Sequence, residues 1–308
     1  MIYPDFFIGG AQKCGTTSLS VWLNEHPHLQ CSTPKEPRFF SSTSQRDIYK
    51  DYSAFFANNR NEKALLFEAS TSIMNDGIAI DKIKDLYPCS PKFIFILKNP
   101  VERAISAYYH MFKHSSEKRS IDEVFSRIPK SVDAVYDFEK QKTEQAIEQK
   151  LIDVSGYKDK YDNYLWPYYY LYNSRYSYHL GKFEEAFGKD NILTLTLEGF
   201  EACRENSFRG ITRFLGVNDY KDHLDTSIKS NSTIIPSYVF IPFIRKTKCL
   251  LGMCRSLDKN LERVFKRRFF QCKPIETPVR IIDSLNVLLQ EEIEFYNNIN
   301  TLSSNKAD

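Results

Sequence analysis

Phe6-Phe7-Ile8-Gly9-Gly10-Ala11-Gln12-Lys13-Cys14-Gly15-Thr16-Thr17-Ser18-Leu19 decides how the rest of the chain is read. An apolar run stops at paired glycines, a short loop follows, and a helical pattern starts at about Thr16. Strand, glycine-bearing loop and helix N-terminus together form an anion cradle. Backbone N–H groups converge there, and the helix dipole favours negative charge. Gly10, four residues and Gly15 fit the start of the phosphate-binding pattern G-x-x-x-x-G-K-[ST]. Thr16 stands where that pattern has its lysine, and the loop's own lysine, Lys13, comes three positions earlier. The cradle is kept while the cation moves inside the loop. The plain alternative is an ordinary β–α turn.

Outward from this stretch, residues 19–30 predict a helix, with Leu19, Trp22 and Leu23 at helical spacing and a stop at His26-Pro27. In Ser32-Thr33-Pro34-Lys35-Glu36-Pro37-Arg38-Phe39-Phe40 two prolines hold the backbone extended. Glu36 is a single acid fixed between them, beside Lys35 and Arg38. It is either a site residue or half of a local ion pair in a solvated turn. Residues 46–58 predict a helix, 64–68 a short buried strand, and 75–87 a helix capped by Asn75 or Asp76. Lys92–Leu97 is a continuous apolar run that suits a central parallel strand covered on both faces. It ends in Lys98-Asn99-Pro100 and enters a helix that carries Ser106. Lys98 therefore falls at the C-terminal edge of a parallel sheet, where ligands bind. A triphosphatase would place a metal-binding Asp near the end of such a strand. A lysine and an asparagine stand here, which argues against magnesium–triphosphate chemistry.

At 308 residues, 42% hydrophobic and 26% charged, the chain can bury one large core. A net charge of +3 does not mark a nucleic-acid binder, so any anion site is local. Seven scattered cysteines without C-x-x-C spacing read as reduced thiols, and the N-terminus enters a strand without a signal-like segment. No apolar run of about 18 residues predicts a membrane span. These features place the protein in the cytoplasm.

Residues 115–155 are rich in charge with no strong apolar stripe, and predict a solvated helical insertion or lid. Residues 157–178 hold ten aromatics, Tyr157 and Tyr161 among them. They either line an acceptor groove or form a half-buried helix face. Asn191–Leu197 predicts a strand, and a helix from Glu198 to about Gly216 follows. Ile241–Phe270 mixes apolar with basic residues and suits a membrane surface, an anionic polymer or a solvated face. Residues 277–299 predict an amphipathic closing helix. No repeat or linker divides 1–308, so one domain is expected, with 240–308 as a C-terminal helical region.

Three of these segments together resemble a known family. Gln12-Lys13-Cys14-Gly15-Thr16-Thr17-Ser18-Leu19 resembles the phosphosulfate loop of sulfotransferases that use 3′-phosphoadenosine 5′-phosphosulfate (PAPS). Lys35-Glu36-Pro37-Arg38-Phe39-Phe40 resembles the acid-bearing segment of the carbohydrate branch, including heparan sulfate sulfotransferases. Lys98-Asn99-Pro100-Val101-Glu102-Arg103-Ala104-Ile105-Ser106 resembles the 3′-phosphate segment, usually Arg-x-Pro followed by a helix serine. Order and separation match as well, over residues 5–116 and again near 170–216.

The resemblance implies a soluble, bacterial-type enzyme of α/β class, with a P-loop-like three-layer fold: a central parallel sheet flanked by helices. It implies that Gln12, Lys13, Cys14, Gly15, Thr16, Thr17 and Ser18 hold the 5′-phosphosulfate. Lys98 and Ser106 would hold the 3′-phosphate, and Lys229–Ser232 would approach the nucleotide. Lys13 would stabilise the leaving phosphate and Glu36 would be the general base, with His110 in reserve. No metal is required, and PAP is the product. The implied acceptor is a carbohydrate, with an anionic polysaccharide or glycolipid as its form and no nucleic acid. Lys35 and Arg38 would draw in an anionic sugar chain. Two departures stand out. Lys98 replaces the usual arginine, and Ala69 follows Glu68 where some heparan enzymes carry an assisting lysine. The rival readings are a P-loop nucleoside-triphosphate-dependent kinase and a non-catalytic nucleotide-binding module.

Overall fold

The computed structural model of the protein describes residues 2–42, 52–56, 64–218 and 277–305. Lys229–Ser232, Ile241–Phe270 and most of the helix expected at 46–58 lie outside the described residues. Of that last segment, Tyr52–Phe56 forms a short 3-10 turn.

Five parallel strands form one sheet: β1 (Phe6–Gly10), β2 (Leu29–Cys31), β3 (Leu65–Glu68), β4 (Lys92–Leu97) and β5 (Ile192–Thr196), in the order β2-β3-β1-β4-β5. Parallel strands require crossovers, and helices supply most of them. They are α1 (Thr16–Asn24), α2 (Gly77–Leu86), α3 (Pro100–Lys113), α4 (Ile121–Phe125), α5 (Val135–Glu148) and α6 (Tyr176–Phe187). Beyond β5 follow α7 (Leu197–Ala202) and α8 (Arg204–Leu215), then α9 (Val279–Leu288) and α10 (Gln290–Asn305). The α/β class with a central parallel sheet is the one expected. β1 lies in the middle and β4 beside it, so both are buried on both faces, which is why each is apolar without alternation. The chain runs to one side of β1 for β2 and β3, then crosses to the other for β4. That reversal creates a switch point at the carboxyl ends of β1 and β4, the usual place for a ligand crevice.

Several expectations are corrected. The first helix stops at Asn24, and residues 29–31 form edge strand β2 rather than a helix end. Of the two expected cap residues Asp76 is the one that caps α2, its carboxylate accepting the Ile78 N–H at 3.1 Å. The helix after β5 is broken at Cys203, and the closing helix is two helices that meet at Leu289.

Residues 115–155 are helical in part but not simply solvated. Glu117 and Arg119 form a buried ion pair at 2.7 Å. Buried Glu139 on α5 accepts the backbone N–H groups of Leu171 and Tyr172 at 2.8 and 2.9 Å. The buried face is partly polar, so it leaves no apolar stripe in the sequence. It satisfies those groups by hydrogen bonding instead. No helix among the described residues is long and apolar enough to cross a membrane.

Candidate active site

Parallel strands deliver their following loops to one edge of the sheet. The loops after β1, β3 and β4 therefore lie side by side in the order β3-β1-β4. The loop after β1 carries Lys13, and the loop after β4 carries Lys98. The segment after β2 carries Glu36 and lies against the end of β3, where Ala69 N–H donates to the Lys35 carbonyl at 3.0 Å and Arg38 N–H to Ser70 Oγ at 3.4 Å. Lys13's loop thus stands between the acid-bearing segment and the Lys98 segment.

The loop after β1 is shaped by its backbone. β1 shifts register against β4 between Ile8 and Gly10. A Cβ on Gly9 would lie 2.6 Å from the Phe95 ring, so only glycine fits the bulge. Ala11 N–H returns to the Ile96 carbonyl at 2.8 Å. Gly15 has φ 88°, the left-handed region, and a Cβ there would meet Leu197 at 2.9 Å. Lys13 itself has φ 71°. No side chain caps α1 at Gly15, so the helix opens directly onto the loop.

Lys13 is half-buried, and burial first, then the nearby Lys113 and Lys98, lowers its ammonium pKa. Its Nζ lies 3.5 Å from His110 Nδ1 on α3. Burial, then the Lys13 charge, pushes His110 down to about 4, so the ring is neutral near pH 7. Its Nδ1 lone pair faces the ammonium. Ser106 lies one turn before His110 on the same helix face. Asn99 caps α3, its Oδ1 accepting the Val101 and Glu102 N–H groups at 3.0 and 3.3 Å, with Pro100 in the first turn. Lys98 Nζ pairs with Glu102 Oε2 at 2.7 Å.

Glu36 is half-buried, with Lys35 Nζ 2.8 Å from its Oε1. The same ammonium donates to the Ala69 carbonyl at 3.0 Å. Phe39 and Phe40 anchor the segment in the core, Phe40 edge-on to Phe7 of β1 with ring centroids 5.3 Å apart. Behind it, buried Glu68 is pushed up to about 7 by burial, against hydrogen bonds from Tyr52 and Ser70 that lower it.

A sequence model of the sulfotransferase domain matches residues 3–233. The chain belongs to the sulfotransferase domain family. It is 25% identical over 233 residues to a bifunctional heparan sulfate N-deacetylase/N-sulfotransferase 1 of Xenopus tropicalis, covering 73% of this chain and 23% of that protein. It is 33% identical over 117 residues to the human N-deacetylase/N-sulfotransferase 2, covering 36% of this chain and 13% of that one. The chain thus spans less than a quarter of the length of these relatives. A sulfotransferase crystal structure from Alicyclobacillus acidocaldarius shares the fold, with a TM-score of 0.55 and 22% identity, covering 83% of this chain and 98% of that one.

Of the expected residues, Lys13, Gly15 and the first turn of α1 (Thr16, Thr17, Ser18) lie together where the loop enters the helix. Thr16 is buried and the other two half-buried. Cys14 turns inward. Its N–H closes a turn to Ala11 at 3.3 Å, and its thiol, pushed up to about 11 by burial, lies 3.7 Å from Tyr176 Oη. Gln12 is half-buried with its Oε1 unpaired among the described residues.

Sequence reasoning missed two residues. Tyr176 donates to the Lys98 carbonyl at 2.9 Å and so ties the two loops together. Buried Arg103 donates to Ser174 Oγ at 2.7 Å and to the Tyr170 carbonyl, holding α3 against the tyrosine segment. The tyrosine run is neither a helix face nor, for the most part, a groove. Trp166, Tyr168, Tyr169 and Tyr170 are buried in and beside a short 3-10 turn, Tyr161 is buried in the loop before it, and Tyr176 is buried at the start of α6. Tyr157 and Tyr161 lie near enough to Glu36 that its charge, after burial, helps to raise their phenol pKa values.

Proposed function

We propose that the chain transfers the sulfuryl group of PAPS to a carbohydrate hydroxyl. The observation that carries this reading is the order of the sheet edge: a half-buried lysine in an uncapped helix-opening loop, with an acid segment on one side and a lysine–serine helix segment on the other. That donor set fits a nucleotide bearing anions at both ends. The α1 N–H groups, Thr17 and Ser18 suit the 5′-phosphosulfate. Lys98 and Ser106 suit the 3′-phosphate, as the family resemblance implies.

The chemistry follows from where charge develops. As the S–O bond to the leaving phosphate breaks, negative charge grows on the bridging oxygen, and Lys13 with the loop N–H groups opposes it. Burial that makes Lys13 costly to charge in the free protein makes the bound anion a strong partner. Glu36 takes the proton from the attacking hydroxyl as the O–S bond forms. Lys35 supplies the assisting cation that position 69 lacks, because its ammonium rests on the Ala69 carbonyl while it pairs with Glu36. His110 directs its lone pair at Lys13 and serves as that lysine's partner rather than as the base. The carbohydrate acceptor is favoured by the acid-bearing segment and by the heparan-sulfate-modifying relatives. The reaction is assigned to the cytoplasm, in keeping with the free thiols of Cys14, Cys31, Cys89 and Cys203. Peripheral membrane contact through Ile241–Phe270 rests on composition alone.

Glu36→Gln tests the reading. It keeps shape and hydrogen bonding but removes the base. Turnover of a saccharide acceptor should fall roughly 10²–10⁴-fold while PAP affinity is nearly unchanged. An active Glu36→Gln enzyme beside a dead His110→Ala enzyme would assign the base to the histidine. Transfer to simple phenols but to no saccharide would refute the carbohydrate acceptor.

A further inference from the structure

Lys13 and Lys98 stand on different loops, and a buried side chain spans the gap between them. The β1–β4 ladder runs out at Gly10 and Phe95, followed by one bond from the Ala11 N–H to the Ile96 carbonyl at 2.8 Å. Past that point Tyr176 takes over. It is 0% exposed, and its phenol donates to the Lys98 carbonyl at 2.9 Å and lies 3.7 Å from the Cys14 sulfur. The Lys98 backbone hydrogen-bonds that sulfur too. One phenol thus touches the peptide of Lys98 and the side chain next to Lys13. Ser174 extends the hold: its hydroxyl donates to the Pro100 carbonyl at 2.8 Å and accepts from Arg103 Nε at 2.7 Å. Tyr176 opens α6, and Phe183 pins α6 to β4, its ring edge-on to Phe93 and Phe95 with centroids 5.1 and 5.0 Å apart. The phenol therefore has a fixed place relative to the sheet. Burial raises its pKa well above the usual 10, so it stays a donor across the working pH range. The Lys13–His110 contact at 3.5 Å crosses the same gap, but it uses the ammonium that a bound anion needs.

A nucleotide with phosphates on its 5′ and 3′ oxygens carries both anions at a separation fixed by one ribose. Two half-sites on separate loops bind such a ligand well only when their spacing is held to match, so that no binding energy is lost in bringing them together. We propose that Tyr176 is a positioning residue that sets the spacing between the Lys13 loop and the Lys98 segment, and so couples two anion sites into one selective for a doubly phosphorylated nucleotide. This rests on the donor reading given above. Tyr176 is buried and acts through Cys14 and the Lys98 peptide rather than by touching the ligand. A nucleotide with a single phosphate gains nothing from the spacing, because one loop can settle around it without the other.

The test uses the full chain and titration calorimetry with three nucleotides: PAP, adenosine 5′-phosphate and adenosine 3′-phosphate. Tyr176→Phe keeps the ring and its packing and removes the donor. PAP should then bind ~5-fold or more weakly, the lower end of coupling between sites, while each monophosphate changes by less than ~2-fold. Cys14→Ala takes the sulfur from the other end of the link. It should give a smaller loss of the same kind, and it carries the test should Tyr176→Phe not fold, as urea unfolding of each variant reveals. Undiminished PAP binding in both variants would overturn the proposal. So would equal losses for all three nucleotides, the mark of general damage rather than of lost spacing. A wild type that binds PAP no better than the monophosphates would overturn the donor reading and Tyr176's role with it. A wild type that prefers PAP, beside a Tyr176→Phe protein with the same preference, would overturn Tyr176's role alone.

Discussion

At the scale of single residues, Lys98 is the cation proposed for the 3′-phosphate. Its ammonium is paired with Glu102, a residue largely exposed to solvent, at the i,i+4 spacing. Such a surface pair contributes only about 0.3–0.5 kcal/mol, so a phosphate displaces it at little cost. A charge-assisted phosphate contact contributes about 1.5–3 kcal/mol. Lys98→Ala and Ser106→Ala should therefore weaken PAP binding ~10-fold or more. They should change binding of the analogue lacking the 3′-phosphate far less, as titration calorimetry with both nucleotides can show. Equal losses would mean these residues do not read the 3′-phosphate. Both residues are legible in the sequence because each is fixed locally, Lys98 by the end of an apolar strand and Ser106 by the helix that Asn99 and Pro100 start.

At the scale of elements, α6 is held at its start by His179. Its Nε2–H donates to the Tyr172 carbonyl at 3.0 Å, and its ring sits edge-on to Tyr172 with centroids 4.8 Å apart. Burial pushes this imidazole down to about 3 from an ordinary value of 6.5. The folded pKa is below the unfolded one, so between those values the unfolded chain binds a proton that the folded chain refuses. Stability from His179 is full above pH 6.5 and declines as pH falls toward 3, by about 1.4 kcal/mol per pH unit. In His179→Gln, which keeps a donor, this decline is absent. Urea unfolding at pH 7, 6, 5 and 4 should show the wild type losing ground to the variant at each step. A constant gap would mean that His179 does not titrate on unfolding. His179 is 2% exposed, as a structural histidine is. β2 was not legible because three residues are too few for a period, and only Leu29 of them is fully buried. The burial of α5 was not legible because Glu139 and Thr143, which form half of its buried face, are polar.

At the scale of the whole molecule, residues after 277 complete the fold around the site. Leu285 of α9 is 0% exposed and belongs to the cluster that includes Ala107, Tyr108 and Met111 of α3. α10 packs along β5 and α6, with buried Glu292 accepting the Ser177 N–H at 2.9 Å and the Ser177 hydroxyl at 2.7 Å. Leu285→Ala should destabilise the protein by about 2–5 kcal/mol in urea unfolding, the usual cost of a large-to-small change in a packed core. A loss below about 1 kcal/mol would mean that α9 adds little to α3. By itself the sequence determined the strand–loop–helix of residues 6–19, the parallel α/β class, and the placing of Lys13 and Lys98 each just beyond the carboxyl end of an apolar strand. Apolar runs, glycines and prolines act within a few residues, and parallel strands must send their loops the same way. Only the tertiary structure decided that Cys14 faces inward, that Lys35 rests on a carbonyl 34 residues away, and that most of the tyrosines are core while Tyr161 carries Arg38. Those outcomes depend on which surfaces meet. An aromatic run without helical or alternating period names no face of its own until distant segments close over it.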